Sequence, residues 1–573
     1  MAGSNRKDLN MKAVEGKPLP LGVTITDDRI NFSIAVPEGR TCSLLLYEAG
    51  SCEPCERVPV EQSVGEVHFI ALEGMEADAY EYNYMFDERI VVDPYVRALA
   101  GRSVWRREYD IQQHEVRGII QTGTYDWEGD APLHIPYNEV IAYSLHVRGF
   151  TKHSLSKAVH KGTFAGVVEK IPYLTELGIN QIHCMPVYEF EECLQYTNYW
   201  GYGDGFFFAP KSAYAASGDG IKELKDMVKA CHKAGIEVVL EMPFTDKTPK
   251  QLMVECLRYY MLEYHMDGFI MNPAVAPMET LSGDPMLKKT KVMRHDMGFQ
   301  TVMRRFLKGD EGMVGDAIYW LKHNSRQDGI FNSIAAHNGF TLHDLVSYDG
   351  KHNEANGENN LDGPDYNYSW NCGAEGPTRK KAVLQLRRRQ MRNAFFLLLL
   401  AQGTPCILAG DEFANSQKGN NNAYCQDNPT GWLDWGKAER ESELFTFVKE
   451  LIALRKKHPV LYPAKEAEGI DMLCCGMPDV SYHGENAWKI PSEVSSRQLG
   501  VYYYGAYADD EDCFVIYNMH WLPHTFALPS LPKDKKWHAA ASTKDGILAE
   551  YRLLENQRLI EAEERTVIML TGR

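Results

Sequence analysis

The sequence has little that would place it in a membrane, on nucleic acid or outside the cell. Its longest uninterrupted apolar run covers eight residues, 394–401, against the ~18 that a membrane-spanning helix needs. Positive charge is scarce: 61 Lys and Arg face 78 Asp and Glu, a net charge of −17. That balance argues against a nucleic-acid backbone or an anionic bilayer as the main partner. Residues 1–16 are polar and lack the apolar stretch of a secretory signal. The 13 cysteines are odd in number and scattered, the usage of reduced thiols in a cytoplasm. Cys52-Glu-Pro-Cys55 has no second pair at zinc-site spacing, so it reads as plain thiols. There is no Gly-x-Gly-x-x-Gly fingerprint, no Gly-Lys-Ser/Thr phosphate loop and no His-Glu-x-x-His helix. Dinucleotide, P-loop and zinc-protease chemistry therefore drop out, and no cofactor or metal is expected.

What is present has three textures. Short alternating runs punctuated by Gly39, Gly50, Gly65 and Asp87 predict a small antiparallel β-domain over 17–105. In the middle, amphipathic helices end on a glycine and lead into short apolar runs. Leu224, Met227, Val228 and Cys231 mark one helix face; Gly235 closes it and the run 236–242 follows. Serial units of this kind predict buried parallel strands covered by helices, and the missing dinucleotide fingerprint favours a (β/α)8 barrel over 136–462. Runs such as 499–504 and 513–517 then predict a C-terminal β-domain over 463–573. The fold class is α/β, with β-domains on both flanks.

Several long motifs resemble one family. Ile141-Ala-Tyr-Ser-Leu-His-Val-Arg-Gly-Phe-Thr151, Asn198-Tyr-Trp-Gly-Tyr202, Ala336-His-Asn-Gly-Phe-Thr-Leu-His-Asp-Leu-Val-Ser-Tyr348, Lys351-His-Asn-Glu-Ala-Asn-Gly-Glu358 and Gly410-Asp-Glu-Phe413 are similar to glycoside hydrolase family 13, the α-amylase superfamily, in its glycogen-debranching (isoamylase-type) branch. Pro20-Leu-Gly-Val-Thr24 and Asp93-Pro-Tyr95 resemble the starch-binding module of carbohydrate-binding family 48. The likeness spans roughly 17–530. It implies cleavage of α-1,6 branch links by two carboxylates about 5 Å apart, one nucleophile and one acid/base, with a third carboxylate steadying the sugar. In the family these stand at the ends of barrel strands four, five and seven.

All three positions depart from the family. The nucleophile position in Gly268-Phe-Ile-Met-Asn-Pro-Ala274 is Asn272, the acid/base position in Lys291-Val-Met-Arg-His-Asp-Met297 is His295, and the stabiliser position after His337 is Asn338. An amide oxygen is a poor glycosyl nucleophile, and an uncharged side chain gives little to an oxocarbenium-like transition state. Losing one member of such a set costs about 10⁶ in rate. The excursion that the family inserts after strand three is contracted to Thr245-Asp-Lys-Thr-Pro-Lys-Gln251, and no clear sixth strand is visible. Glu241, Asp246, Asp296 and Asp344 are the acids available as replacements; Asp296, His295, His337 and His343 show no recurrent metal-ligand spacing.

By resemblance, Tyr202, His337 and Trp200 hold the sugar, and Trp105, Trp127, Tyr80, Tyr82 and Tyr84 offer aromatic faces in the N-terminal zone. The leading expectation is a cytoplasmic, non-hydrolytic relative that binds α-glucan such as glycogen or maltodextrin, or that partners an active debranching homologue, as non-catalytic plant isoamylase subunits do. Two alternatives stand beside it: an active α-1,6-glucosidase with unconventional residues, and an interaction protein without sugar affinity.

Overall fold

The computed structural model describes residues 11–26, 28–324, 329–532 and 534–573; most of the polar N-terminal stretch, residues 1–10, lies outside them. Two antiparallel sheets form the N-terminal domain. One pairs Lys12–Val14, Val67–Glu73, Arg29–Ala35 and Gly22–Ile25; the other pairs Leu99–Ala100, Arg117–Ile119, Tyr80–Phe86, Cys42–Glu48 and Pro54–Pro59. Phe32, Ile34 and Ile70 from the first meet Leu44, Leu46, Tyr82 and Tyr84 from the second in a single core. This packing spends Tyr82 and Tyr84 on the interior. Trp105 stacks on Tyr214 of the next domain and Trp127 on His265, so neither ring is an open platform. The strand Arg117–Ile119 carries the second sheet past the boundary at 105 that the sequence suggests.

The central domain is a closed parallel barrel, as the helix–glycine–strand pattern implies. Its strands are β1 (Ala142–Leu145), β2 (Gln181–Cys184), β3 (Glu237–Glu241), β4 (Gly268–Ile270), β5 (Lys291–His295), β6 (Ile330–Asn332) and β7 (Thr404–Leu408), with β7 closing onto β1. The covering helices include α1 (Ile171–Leu177), α2 (Gly220–Lys233), α3 (Lys250–Tyr264), α4 (Met297–Lys308), α5 (Val314–Lys322), α6 (Lys381–Leu399) and α7 (Ser442–Lys457). Helix α2 shows why these units form. Asp219 caps its N-terminus by accepting from the Lys222 N–H, Leu224, Met227, Val228 and Cys231 bury one face, and Gly235 at φ 74° lets the chain turn into β3. Each such buried side chain contributes about 1.5–3 kcal/mol, and Leu224→Ala would forfeit about 2–5 kcal/mol.

The eightfold count needs correction. Among the described residues the barrel has seven strands, because β5 pairs directly with β6, through Arg294 to Ile330 and His295 to Phe331. Strand β6 stands where the family's seventh would be. Residues 309–313 turn straight from α4 into α5. Gly309 caps α4 at φ 88°, and its carbonyl, with that of Lys308, accepts from Arg497 and Arg565 of the C-terminal domain. The short hairpin leaves no chain to lay down a strand between them. Residues 242–249 likewise run from β3 into α3 without an excursion.

The C-terminal domain is a six-stranded antiparallel sheet, in the order Val480–His483, Gln498–Tyr503, Asp512–Asn518, Thr566–Gly572, Trp537–Ser542 and Gly546–Leu553. It is built around Tyr502, Phe514, Phe526 and Trp537. No described helix is long and apolar enough to cross a membrane.

Candidate functional site

Strand alternation decides what faces the barrel axis. On β3, Glu237, Val239 and Glu241 share one face; on β5, Lys291, Met293 and His295 do. Val239, Ile270, Met293, Phe331 and Cys406 form the apolar middle layer. Below it, at the N-terminal ends of the strands, Lys291 Nζ donates to both carboxylate oxygens of Glu237 at 2.5 and 2.7 Å, and Gln181 Nε2 donates to one of them at 2.6 Å. Gly268 on the intervening β4 permits this approach, since a Cβ there would lie 2.8 Å from Lys291 Cβ.

Above the apolar layer, at the C-terminal ends where barrel chemistry resides, Glu241, His295 and His337 converge. One carboxylate oxygen and one nitrogen from each ring lie within 4.8 Å of one another. Tyr202 ties the group together: its hydroxyl donates to Glu241 Oε1 at 2.6 Å and shares a 2.7 Å hydrogen bond with His337 Nε2. His295 Nε2 stands 3.7 Å from Glu241 Oε1, beyond a good hydrogen bond. Trp200 packs edge-on to His337 at 4.9 Å between ring centres, and His295 lies against Phe331 at the same separation.

The electrostatics follow from these neighbours. Burial alone would raise the Glu241 carboxyl; His337, His295 and the Tyr202 hydroxyl outweigh it and hold the group down at about 2. Burial pushes His337 down to about 4 against the pull of Glu241, so the ring is neutral near pH 7. His183, deeper in the barrel, is pushed down to about 3 by burial.

The structure thus brings together Trp200, Tyr202, His295 and His337 from the sequence reading, and adds Glu241 as the acid that joins them. Asn272 and Asn338 are exposed. Asn272 spends its amide oxygen on the Ala274 N–H at 3.0 Å, within its own turn.

The other proposed replacement acids are occupied or remote. Asp296 caps α4 by accepting from the Gly298 N–H at 2.6 Å. Asp344 is buried and accepts from Ser416 Oγ and the Gln417 N–H, pinning that loop. His343 leans on Asp344 rather than on the cluster, and Asp246 is exposed. Glu412 is pushed up to about 7 by burial, but it is engaged by the hydroxyls of Tyr143 on β1 and Tyr173 on α1.

Beside the cluster, Leu145, Met185, Trp200, His337, Leu408 and Leu433 help line a cavity of about 50 Å³. Typical small-molecule pockets hold about 300–1,000 Å³; this one has room for a few waters.

No family model matches the chain. It is 32% identical to isoamylase 1, chloroplastic, of Arabidopsis thaliana, in an alignment covering 77% of this chain and 75% of that protein. It is 32% identical to the glycogen debranching enzyme of Yersinia enterocolitica, in an alignment covering 78% of this chain and 85% of that protein. Among solved structures, type I pullulanase from Bacillus subtilis complexed with maltose superposes with a TM-score of 0.73 at 18% identity, over 97% of this chain and 85% of that one. Pullulanase from Paenibacillus barengoltzii complexed with maltohexaose and α-cyclodextrin gives 0.74 at 17% identity, over 97% and 95%.

Proposed function

Because the chain belongs to the isoamylase and glycogen-debranching family, we propose that it is an α-glucan-binding member of that family that does not hydrolyse its ligand. The observation that carries this reading is that Glu241 is the single acid in the cluster, beside two imidazoles. Glycoside hydrolysis of this kind needs two carboxyl groups flanking the bond, about 5–5.5 Å apart when retaining and about 6.5–9.5 Å when inverting. The cluster, as the described residues form it, holds no second one. The Glu241 carboxylate is also engaged by Tyr202. Asn272 and Asn338 supply no charge.

In this reading Trp200, Tyr202 and His337 are the sugar-facing residues, and Asn272, His295 and Asn338 are the substituted catalytic positions. The N-terminal β-domain (17–105) is carbohydrate-binding-module-like, and the barrel (136–462) and C-terminal domain (463–573) complete a cytoplasmic protein whose partners are glycogen, maltodextrin or an active debranching homologue.

The names of the relatives favour a second reading, an active α-1,6-glucosidase in which Glu241 and His295 take over. A reducing-end assay of the purified chain on glycogen, pullulan and maltodextrins separates the two. No release of reducing ends is expected, and turnover above the blank selects the second. Slowed migration in a glycogen-containing native gel is expected as well; unchanged migration would leave an interaction protein without sugar affinity. Restoring acids through Asn272→Asp, His295→Glu and Asn338→Asp should not create activity, because the walls built by the absent insert are gone.

A further inference from the structure

The cluster at the barrel mouth also has a composition suited to a metal ion. We propose that Glu241, His295 and His337 form a binding site for a divalent first-row transition cation, with zinc as its best-suited occupant. The residues come from three separate stretches of chain, the end of β3, the end of β5 and the segment after β6, so no sequence spacing announces them. Two imidazole nitrogens and one carboxylate oxygen are a donor set that zinc takes in tetrahedral sites with a fourth position open.

The distances are near those of a closed site. The three donor atoms lie within 4.8 Å of one another, whereas donors around a tetrahedral zinc are about 3.3 Å apart at metal–ligand distances near 2.0–2.1 Å. Closing on a cation takes a contraction of up to about 1.5 Å. His295, whose side chain is 36% exposed and 3.7 Å from Glu241, supplies part of it, and His337 must draw towards Glu241 as well. The Tyr202 hydroxyl already holds Glu241 and His337 near each other, and Trp200 backs the His337 ring. Tyr202 then serves as the outer partner that orients the carboxylate, a feature of built metal sites. Phe331 and Trp200 wall the cluster on the apolar side. The inference concerns cation binding alone and stands whether or not the chain binds glucan.

The test uses the full chain, stripped with chelator, dialysed against zinc chloride and then against buffer, with zinc counted by mass spectrometry. One zinc per chain is expected. Cobalt titration of the stripped protein should give visible bands of nitrogen and oxygen ligation without a thiolate charge-transfer band, which separates this site from the 13 cysteines. His295→Ala and Glu241→Gln should lose the bound equivalent, and Tyr202→Phe should weaken affinity about 10–100-fold. His295 sits on the exposed rim, so its variant folds, and near-ultraviolet circular dichroism checks this. His524→Ala, which removes a half-buried imidazole paired with Glu485 in the C-terminal domain, should keep the zinc. Retention of no zinc by the parent chain, undiminished zinc in His295→Ala, or a thiolate band with cobalt would each overturn the proposal.

Discussion

The same two strands carry a pair of charged or chargeable side chains at each end, and the two pairs behave differently. At the floor of the barrel Glu237 and Lys291 meet at 2.5 Å with side chains 0% and 7% exposed. Four residues further along each strand, at the mouth, Glu241 and His295 stand 3.7 Å apart with side chains 12% and 36% exposed. The floor pair is saturated: a lysine, a glutamine and the Ile135 N–H all serve one carboxylate. The mouth carboxylate has Tyr202 as its close donor and two imidazoles beside it. Burial with full pairing locks a barrel shut, whereas the looser arrangement leaves donors that a ligand can claim.

The comparison is broken most forcefully at the floor. Lys291→Met strands a buried carboxylate and should cost about 3–5 kcal/mol, read as a lower urea midpoint at unchanged slope. A loss under about 1 kcal/mol would mean that burial, which already raises the Glu237 carboxyl, keeps it protonated without its lysine.

Acid acts next, and on the mouth. His337 at about 4 and Glu241 at about 2 both lie below their ordinary values of 6.5 and 4.5, so the unfolded chain takes up protons first. The stability each contributes is complete above its unfolded value. That of His337 fades between pH 6.5 and about 4, and that of Glu241 between pH 4.5 and about 2. A shift of this size corresponds to roughly 3 kcal/mol per group as a ceiling. Urea midpoints measured down from pH 7 should fall accordingly, and His337→Asn should flatten the upper part of that fall.

Smaller still, Tyr202→Phe removes a hydrogen bond to a charged group and should cost about 1.5–3 kcal/mol. It should also move the acid limb of the same curve to higher pH. Thermal melts and the pH series report the two effects together. His295→Ala should change stability by less than about 1 kcal/mol, as for other exposed ion pairs. A larger loss would close the gap between mouth and floor that the exposures imply.

Much of the architecture could be read before any coordinates. The helix–glycine–strand units announced a barrel because buried parallel strands leave short apolar runs, and the sixth strand was missing from the sequence for the same reason that it is missing from the sheet among the described residues. Residues 309–313 are too short and too polar to be one. The site was only half legible. Motifs pointed to Trp200, Tyr202 and His337, but the choice among Glu241, Asp246, Asp296 and Asp344 depends on direction rather than residue type. Two signals were available for it. Period-two alternation from Glu237 sends Glu241 inward, and an aspartate just before an amphipathic run, as at Asp296, is a helix cap. Asp344 gave no such signal, because its partners lie 72 and 73 residues away.

A cask assembled with one stave fewer has a narrower rim. Since the girth of a closed sheet follows the number of its staves, seven in place of eight tightens the opening by roughly an eighth. The groups standing on that rim are drawn inward with it. One carboxylate and two imidazoles gathered on that rim are the kind of set that can close on a bare ion.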